Sequence, residues 1–146
     1  MKINPGEGID SLLFGMKAND VKAVYGLPDK TYKDEDENLI VTYNAKKLRL
    51  TFYAEEDFRL GYIVASDKDL DYNGIRFIGK QPEESLAELN LKGLVKWTQE
   101  SFDTYDNWLN EDNWFTLQSE FGEIVKVELG ALINAKDEFT WKFHSK

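Results

Sequence analysis

Apolar residues recur along this chain in two rhythms, a helical spacing and then a strict alternation, and the same succession comes round twice. In the first round Val21, Val24 and Tyr25 stand at i, i+3 and i+4, the stripe of a short helix. Asp20 falls in its first turn, where negative charge suits the helix dipole. Gly26 is expected as a left-handed cap, and Pro28 stops the helix from continuing. So short a helix is not stable alone and must lie on something. That something is a sheet. Leu39-Ile40-Val41-Thr42-Tyr43 reads as a strand ended by Asn44-Ala45. Leu48, Leu50 and Phe52 then alternate with Arg49, Thr51 and Tyr53. Ala54-Glu55-Glu56-Asp57 turns the chain into a further strand over 60–65, antiparallel because the connection is short.

The second round begins at Gly74-Ile75-Arg76-Phe77-Ile78-Gly79, an echo of Gly8-Ile9 through Leu13-Phe14-Gly15. Gln81-Pro82-Glu83-Glu84-Ser85-Leu86-Ala87-Glu88-Leu89 predicts a helix with Pro at its first position and acids in its first turn. Asn90-Leu91 stands where Gly26-Leu27 stood, Asn being the next-best residue for a left-handed cap. After a turn at Glu111-Asp112-Asn113, a strand from Trp114 to Glu120 sets Phe115 and Leu117 opposite Thr116 and Gln118. Phe121-Gly122 turns the chain, and 123–129 alternates again, with Val125 and Val127 in the places of Ile63 and Ala65. The segments 93–106 and 131–143 are ambiguous, with Val95-Lys96-Trp97-Thr98-Gln99 and Phe139-Thr140-Trp141 read as short strands.

Five echoes in one order, at an offset drifting by a few residues around 64, imply an internal duplication. The units are 1–73 and 74–146, meeting at the polar connector Asp67-Lys68-Asp69-Leu70-Asp71-Tyr72-Asn73-Gly74. The fold class is α+β: a tandem repeat of a short helix plus an antiparallel sheet, together one compact domain. The helices cover one face of the sheet and leave the other exposed.

Composition narrows the chemistry. Hydrophobic residues make up 42% and aromatics 14%, enough for a packed interior. No apolar run is long enough to span a membrane, and the N-terminal Met1-Lys2-Ile3-Asn4-Pro5-Gly6-Glu7-Gly8 lacks a secretion signal, so a cytoplasmic location is expected. The chain has no cysteine and one histidine, His144, expected to be solvated near the C-terminus. Disulfides, thiolate metal sites and cysteine nucleophiles are thereby excluded, no cofactor is implied, and the chain reads as a non-enzyme. With 27 acidic against 18 basic residues the net charge is −9. Lys46-Lys47-Leu48-Arg49 is the longest basic cluster, so direct nucleic-acid binding is not expected, whereas a basic protein partner would be attracted. The acidic runs Asp34-Glu35-Asp36-Glu37, Glu55-Glu56-Asp57 and Glu111-Asp112 fall in turns, where solvated charge is the default. Asp67, Asp69 and Asp71 hint at a calcium loop, but the twelfth loop position is Ile78 rather than a bidentate Glu.

The stretch Phe14-Gly15-Met16-Lys17-Ala18-Asn19-Asp20-Val21-Lys22-Ala23-Val24-Tyr25-Gly26-Leu27-Pro28 resembles the Gly-Met…Val…Gly-x-Pro signature of the beta-lactamase inhibitor protein-like superfamily. That superfamily also holds the outer-membrane assembly lipoproteins of the SmpA/OmlA type, which have one copy of the unit; the inhibitor carries two in tandem. The resemblance implies this fold and a protein-binding habit. The lipoproteins' lipidated Cys and the inhibitor's disulfides have no counterpart here, so neither the envelope role nor the lactamase target carries over. A two-copy, acidic, cytoplasmic form is similar to bacterial immunity proteins that neutralise toxins.

In alternating strands only one face can meet the helices. If Phe115, Leu117 and Ile63 face inward, the outer face presents Arg49, Tyr53, Tyr62, Trp114, Gln118, Glu120, Ile124, Lys126 and Glu128. Trp108 joins them as a candidate anchor, since Trp, Tyr and Arg dominate binding hot spots. The expected function is a protein-binding immunity protein that occludes a basic toxin domain through this face. The alternatives are a self-associating domain, a homodimer included, and a small carboxylate-dependent hydrolase. All four tryptophans lie in the second copy, which is expected to carry more of the binding.

Overall fold

The helical and alternating rhythms become two α-helices and one large sheet among residues 1–144, the part that the structure, a computed structural model, describes. Helix α1 is Ala18–Tyr25 and α2 is Pro82–Leu91. Strands β1 (Lys30–Lys33), β2 (Leu39–Tyr43), β3 (Leu48–Tyr53) and β4 (Arg59–Ala65) follow α1. Strands β5 (Trp97–Ser101), β6 (Asp106–Asn110), β7 (Phe115–Glu120) and β8 (Glu123–Gly130) follow α2. All eight join one antiparallel sheet in the order β5-β6-β7-β8-β4-β3-β2-β1. Each helix thus precedes a four-stranded meander, and the last strands of the two meanders pair along a central seam with Ala65 opposite Val127 and Ile63 opposite Leu129.

The two meanders agree in detail. A short 3-10 turn, Asn44–Lys46 or Glu111–Asn113, precedes the third strand of each and ends on a residue of positive φ, Lys47 (53°) or Trp114 (47°). A β-bulge interrupts the last hairpin of each, leaving Gly61 unpaired in β4 and Val125 unpaired in β8. The loop before each helix hooks the start of the last strand. Gly15 N–H donates to Leu60 O (3.0 Å), and Gly79 N–H donates to Ile124 O (2.7 Å).

The inner face carries Leu48, Leu50, Phe52 and Ile63 beside Phe115, Leu117, Val127 and Leu129, all buried with Phe14, Val21, Phe77 and Leu89 from the covering layer. Asp20 closes the first turn of α1 by accepting from Lys17 N–H (2.9 Å). The line of α1 that meets the core runs through Ala18, Val21 and Tyr25, so Val24, expected in the stripe, points to solvent. Gly26 does take positive φ (80°), but its ψ of −162° is extended, so it is no left-handed helical cap. Helix α2 starts with Pro82 as its pattern predicts, then continues through Asn90. Its left-handed residue is Gly93 (φ 92°). Leu94 N–H donates to Leu89 O and Gly93 N–H to Asn90 O, the paired bonds of a Schellman stop.

Several expectations are corrected. The bulge at Val125 shifts the alternation, so Val127 and Leu129 hold the places of Ile63 and Ala65, and Ile124 turns inward, 1% exposed. The connector is structured: Asp71–Tyr72 pairs with Ile75–Arg76 across Asn73-Gly74, Leu70 is fully buried, and Asp71 N–H donates to Met1 O. Strands β1 and β6 had no counterpart in the sequence pattern. Phe139-Thr140-Trp141 forms only a bridge, Phe139 with Ile133.

Candidate protein-binding face

The alternation that buries Leu48, Leu50, Phe115 and Leu117 turns their neighbours toward the other side of the sheet. There Thr42, Arg49, Val64, Glu128, Thr116, Leu109 and Thr98 stand opposite one another in a row crossing seven strands. Neither helix lies on this side, because both pack into the inner core. Tyr62 sits diagonally across the seam from Glu128, and its hydroxyl donates to Glu128 Oε1 (3.0 Å). Burial, and then the Glu128 carboxylate, hold the pKa of the Tyr62 hydroxyl well above the ordinary phenol range.

A hollow of about 240 Å³ opens beside this pair, lined by Asn107, Leu109, Trp114 and Thr116 as well, with Thr98 and Glu100 of the edge strand at its outer side. Trp114 owes its place to the 3-10 turn before it. Positive φ is uncommon for a bulky side chain, and here it lays the indole over Gly130, where any Cβ would collide with the ring. Trp114 nonetheless keeps 42% of its surface exposed. Tyr53 lies over Gly61 in the same manner.

Across the seam a second hollow, about 390 Å³, is lined by Lys47, Arg49, Val64, Ser66 and Lys126 among others. Counted along the ladders, Lys47 stands where Trp114 does, Arg49 where Thr116 does, and Val64 where Glu128 does; Lys126 and Tyr62 exchange places. The acidic, aromatic hollow and the basic one therefore occupy matching positions of the two meanders.

The segment after β8 closes one end of the face. Ala131 N–H donates to Gly61 O (3.0 Å), Phe139 tilts against Tyr53 with ring centroids 5.7 Å apart, and Phe139 stacks on Trp141 at 4.8 Å. The segment is then pinned to the stretch before α1 by Phe143 N–H on Phe14 O (2.9 Å) and by Lys142 on Glu7 (2.8 Å). Tyr53 is accordingly half-covered, with burial raising the pKa of its hydroxyl.

Of the residues singled out from sequence, Arg49, Tyr62, Trp114, Lys126 and Glu128 line one hollow or the other. Glu120 sits at the hairpin end opposite Glu123 and lines neither. Gln118 belongs to the outer side by register but is only 8% exposed. Trp108 is a correction. It stands opposite Leu117, hence on the helix side, where it packs on the core and its Nε1 donates to Ser119 Oγ (3.4 Å). Asn107 and Leu109 escaped notice because β6 did, and Thr98 and Glu100 because, without β6, the strand read over 95–99 had no neighbour to join it to the sheet. The usable signal was Asn110, a buried residue whose Nδ2 donates to Val95 O (2.6 Å) and whose Oδ1 accepts from Asn113. The acidic runs serve their turns: Asp34 accepts from Asp36 and Asn38, Asp67 from Asp69, and Asp71 from Gly74. His144 is exposed.

No family model and no curated protein matches the chain. Among solved structures, it is similar to an extracellular protein containing an SCP domain from Bacillus anthracis str. Ames, at 10% identity and a TM-score of 0.48. That match covers 78% of this chain and 42% of the other, so the chain spans less than half of the structure it matches. No helix among the described residues is long and apolar enough to cross a membrane.

Proposed function

We propose that the chain consists of two tandem copies of one unit of the beta-lactamase inhibitor protein-like kind and acts as a protein-binding inhibitor. On this reading it is a cytoplasmic immunity protein that holds a basic toxin domain against the outer sheet face. Neutralisation is occlusion, with no chemistry on the inhibitor's side. The tandem reading is supported by the matched 3-10 turns, bulges and loop hooks of the two meanders. The binding reading is carried by one observation: a sheet face without a helix on it gathers Tyr62, Leu109 and the exposed Trp114 around a hollow edged by Glu100 and Glu128. Aromatic anchors in a hollow with a charged rim are the usual anatomy of a hot spot.

The test is co-expression and co-purification with the product of the neighbouring gene. The proposal expects a stable complex whose association slows as salt rises, and rescue of cells from that product. A neighbouring product that neither binds nor becomes harmless removes the immunity reading.

A further inference from the structure

We propose that the hollow between Trp114 and Glu128 is an arginine pocket, which receives a guanidinium group from the bound protein. The inference rests on the protein-binding reading above and assigns the chemistry of the partner's anchor. Four observations converge on it. Charge comes first: among the described residues the lining includes two carboxylates, Glu100 and Glu128, and no Lys or Arg. The hydrogen-bonding capacity points the same way. Glu128 Oε1 already accepts from Tyr62, which orients the carboxylate and, among the described residues, leaves Oε2 without a donor. Asn107, which also lines the hollow, carries a buried Oδ1 that receives no hydrogen bond among the described residues.

Third, the aromatic wall is the indole of Trp114, held by Gly130 beneath it and partly open above. A planar cation stacks on such a ring more readily than on any other side chain. Last, the volume of about 240 Å³ suits one long side chain rather than a helix or a strand. Lysine would bring a charge but only three donors on a point-like head. Arginine brings five in a plane, can bond a carboxylate in two places, and loses less hydration on entering. The matching hollow of the first meander makes the contrast plain, since Lys47, Arg49 and Lys126 would repel the same group.

The probe is Nα-acetyl-arginine amide, titrated into the full isotope-labelled chain and followed by the indole N–H of Trp114 and the backbone amides of Thr116 and Glu128. Saturable shifts with a Kd on the order of 1 mM are expected for a ligand of this size. The neutral isostere, Nα-acetyl-citrulline amide, is expected to bind at least about tenfold more weakly, as is arginine amide to Glu128→Gln. That variant keeps an acceptor for Tyr62, and an unchanged amide spectrum verifies its fold. Lys47→Gln is expected to bind as the parent does. Equal binding of citrulline and arginine overturns the pocket, as do shifts confined to other parts of the chain or undiminished binding by Glu128→Gln. A toxin complex unaffected by Glu128→Gln removes the pocket and leaves the inhibitor reading. Arginine binding without any toxin complex does the reverse.

Discussion

The two ends of the uncovered sheet face use one backbone plan for opposite chemistry. At matched ladder positions the first meander shows Lys47, Arg49 and Val64, and the second shows Trp114, Thr116 and Glu128. On the inner side the same counting gives Leu48 and Phe115, Leu50 and Leu117, Ile63 and Val127, all apolar and all buried. The plan is therefore held by the inner residues, the bulges and the positive-φ turns, while the outer residues are free to differ. A surface released from the packing requirement is where specificity can be written without loss of fold.

The largest effects should come from the shared part. Leu50→Ala and Leu117→Ala each remove a fully buried side chain at equivalent positions, and each should cost about 2–5 kcal/mol in urea unfolding. If one of them costs less than about 1 kcal/mol, the two meanders are not equivalent scaffolds. Next come the outer residues, where the ends should part company. Trp114→Ala should weaken a partner complex by about 2 kcal/mol or more, roughly 30-fold, chiefly through faster dissociation. Lys47→Ala should change mainly the association rate and its salt dependence, and equal losses in the two variants would erase the asymmetry.

A third pair is smaller. Tyr43 and Asn110 occupy the same ladder position, and each ties down a loop by a different group. The hydroxyl of Tyr43 donates to Gly26 O (2.9 Å), and Nδ2 of Asn110 donates to Val95 O (2.6 Å). Asn110→Ala, which strips several buried bonds, should cost about 1–3 kcal/mol, and Tyr43→Phe about 0.5–1.5 kcal/mol. The smallest effect is at the seam. The raised pKa of Tyr62 means that the folded chain holds its phenolic proton to higher pH than the unfolded chain does. This stabilisation is complete below about pH 10, the unfolded value, and is lost as pH climbs above it. Tyr62→Phe should therefore flatten the alkaline decline in stability, measured by urea unfolding between about pH 9 and 11. An unchanged slope would mean that neither burial nor the Glu128 carboxylate shifts the Tyr62 titration.

Long alternating strands could be read in the sequence because each buries one face: Leu48/Leu50/Phe52 and Phe115/Leu117 announce their side directly. Strand β1 could not be read so, since all four of its residues are exposed on an edge. Strand β6 hid because its inward positions are Asp106, Trp108 and Asn110, two of them polar. That omission also concealed half of the hollow and put Trp108 among the outward candidates. The inward turn of Ile124 depended on a bulge at Val125, a residue that carries none of the backbone freedom by which Gly61 marks the same bulge in β4. The outward direction of Tyr62, Arg49, Lys126 and Glu128 was legible from alternation alone. Their gathering into two hollows of opposite charge was not, since it follows from the pairing of β4 with β8.

That same pairing sets the order in which the molecule can assemble. Within each meander, neighbouring strands are joined by short hairpins, but 62 positions separate Ala65 from Val127 across the seam. Hairpins close early because their loops cost little entropy, whereas the seam must wait until both meanders exist. Until it zips, β4 and β8 are open edges bearing Ile63, Val64, Val127 and Leu129, a template for joining the wrong molecule. The meeting of the two meanders is thus the pairing of longest range in the sheet, and it brings Tyr62 to Glu128 and completes the uncovered face.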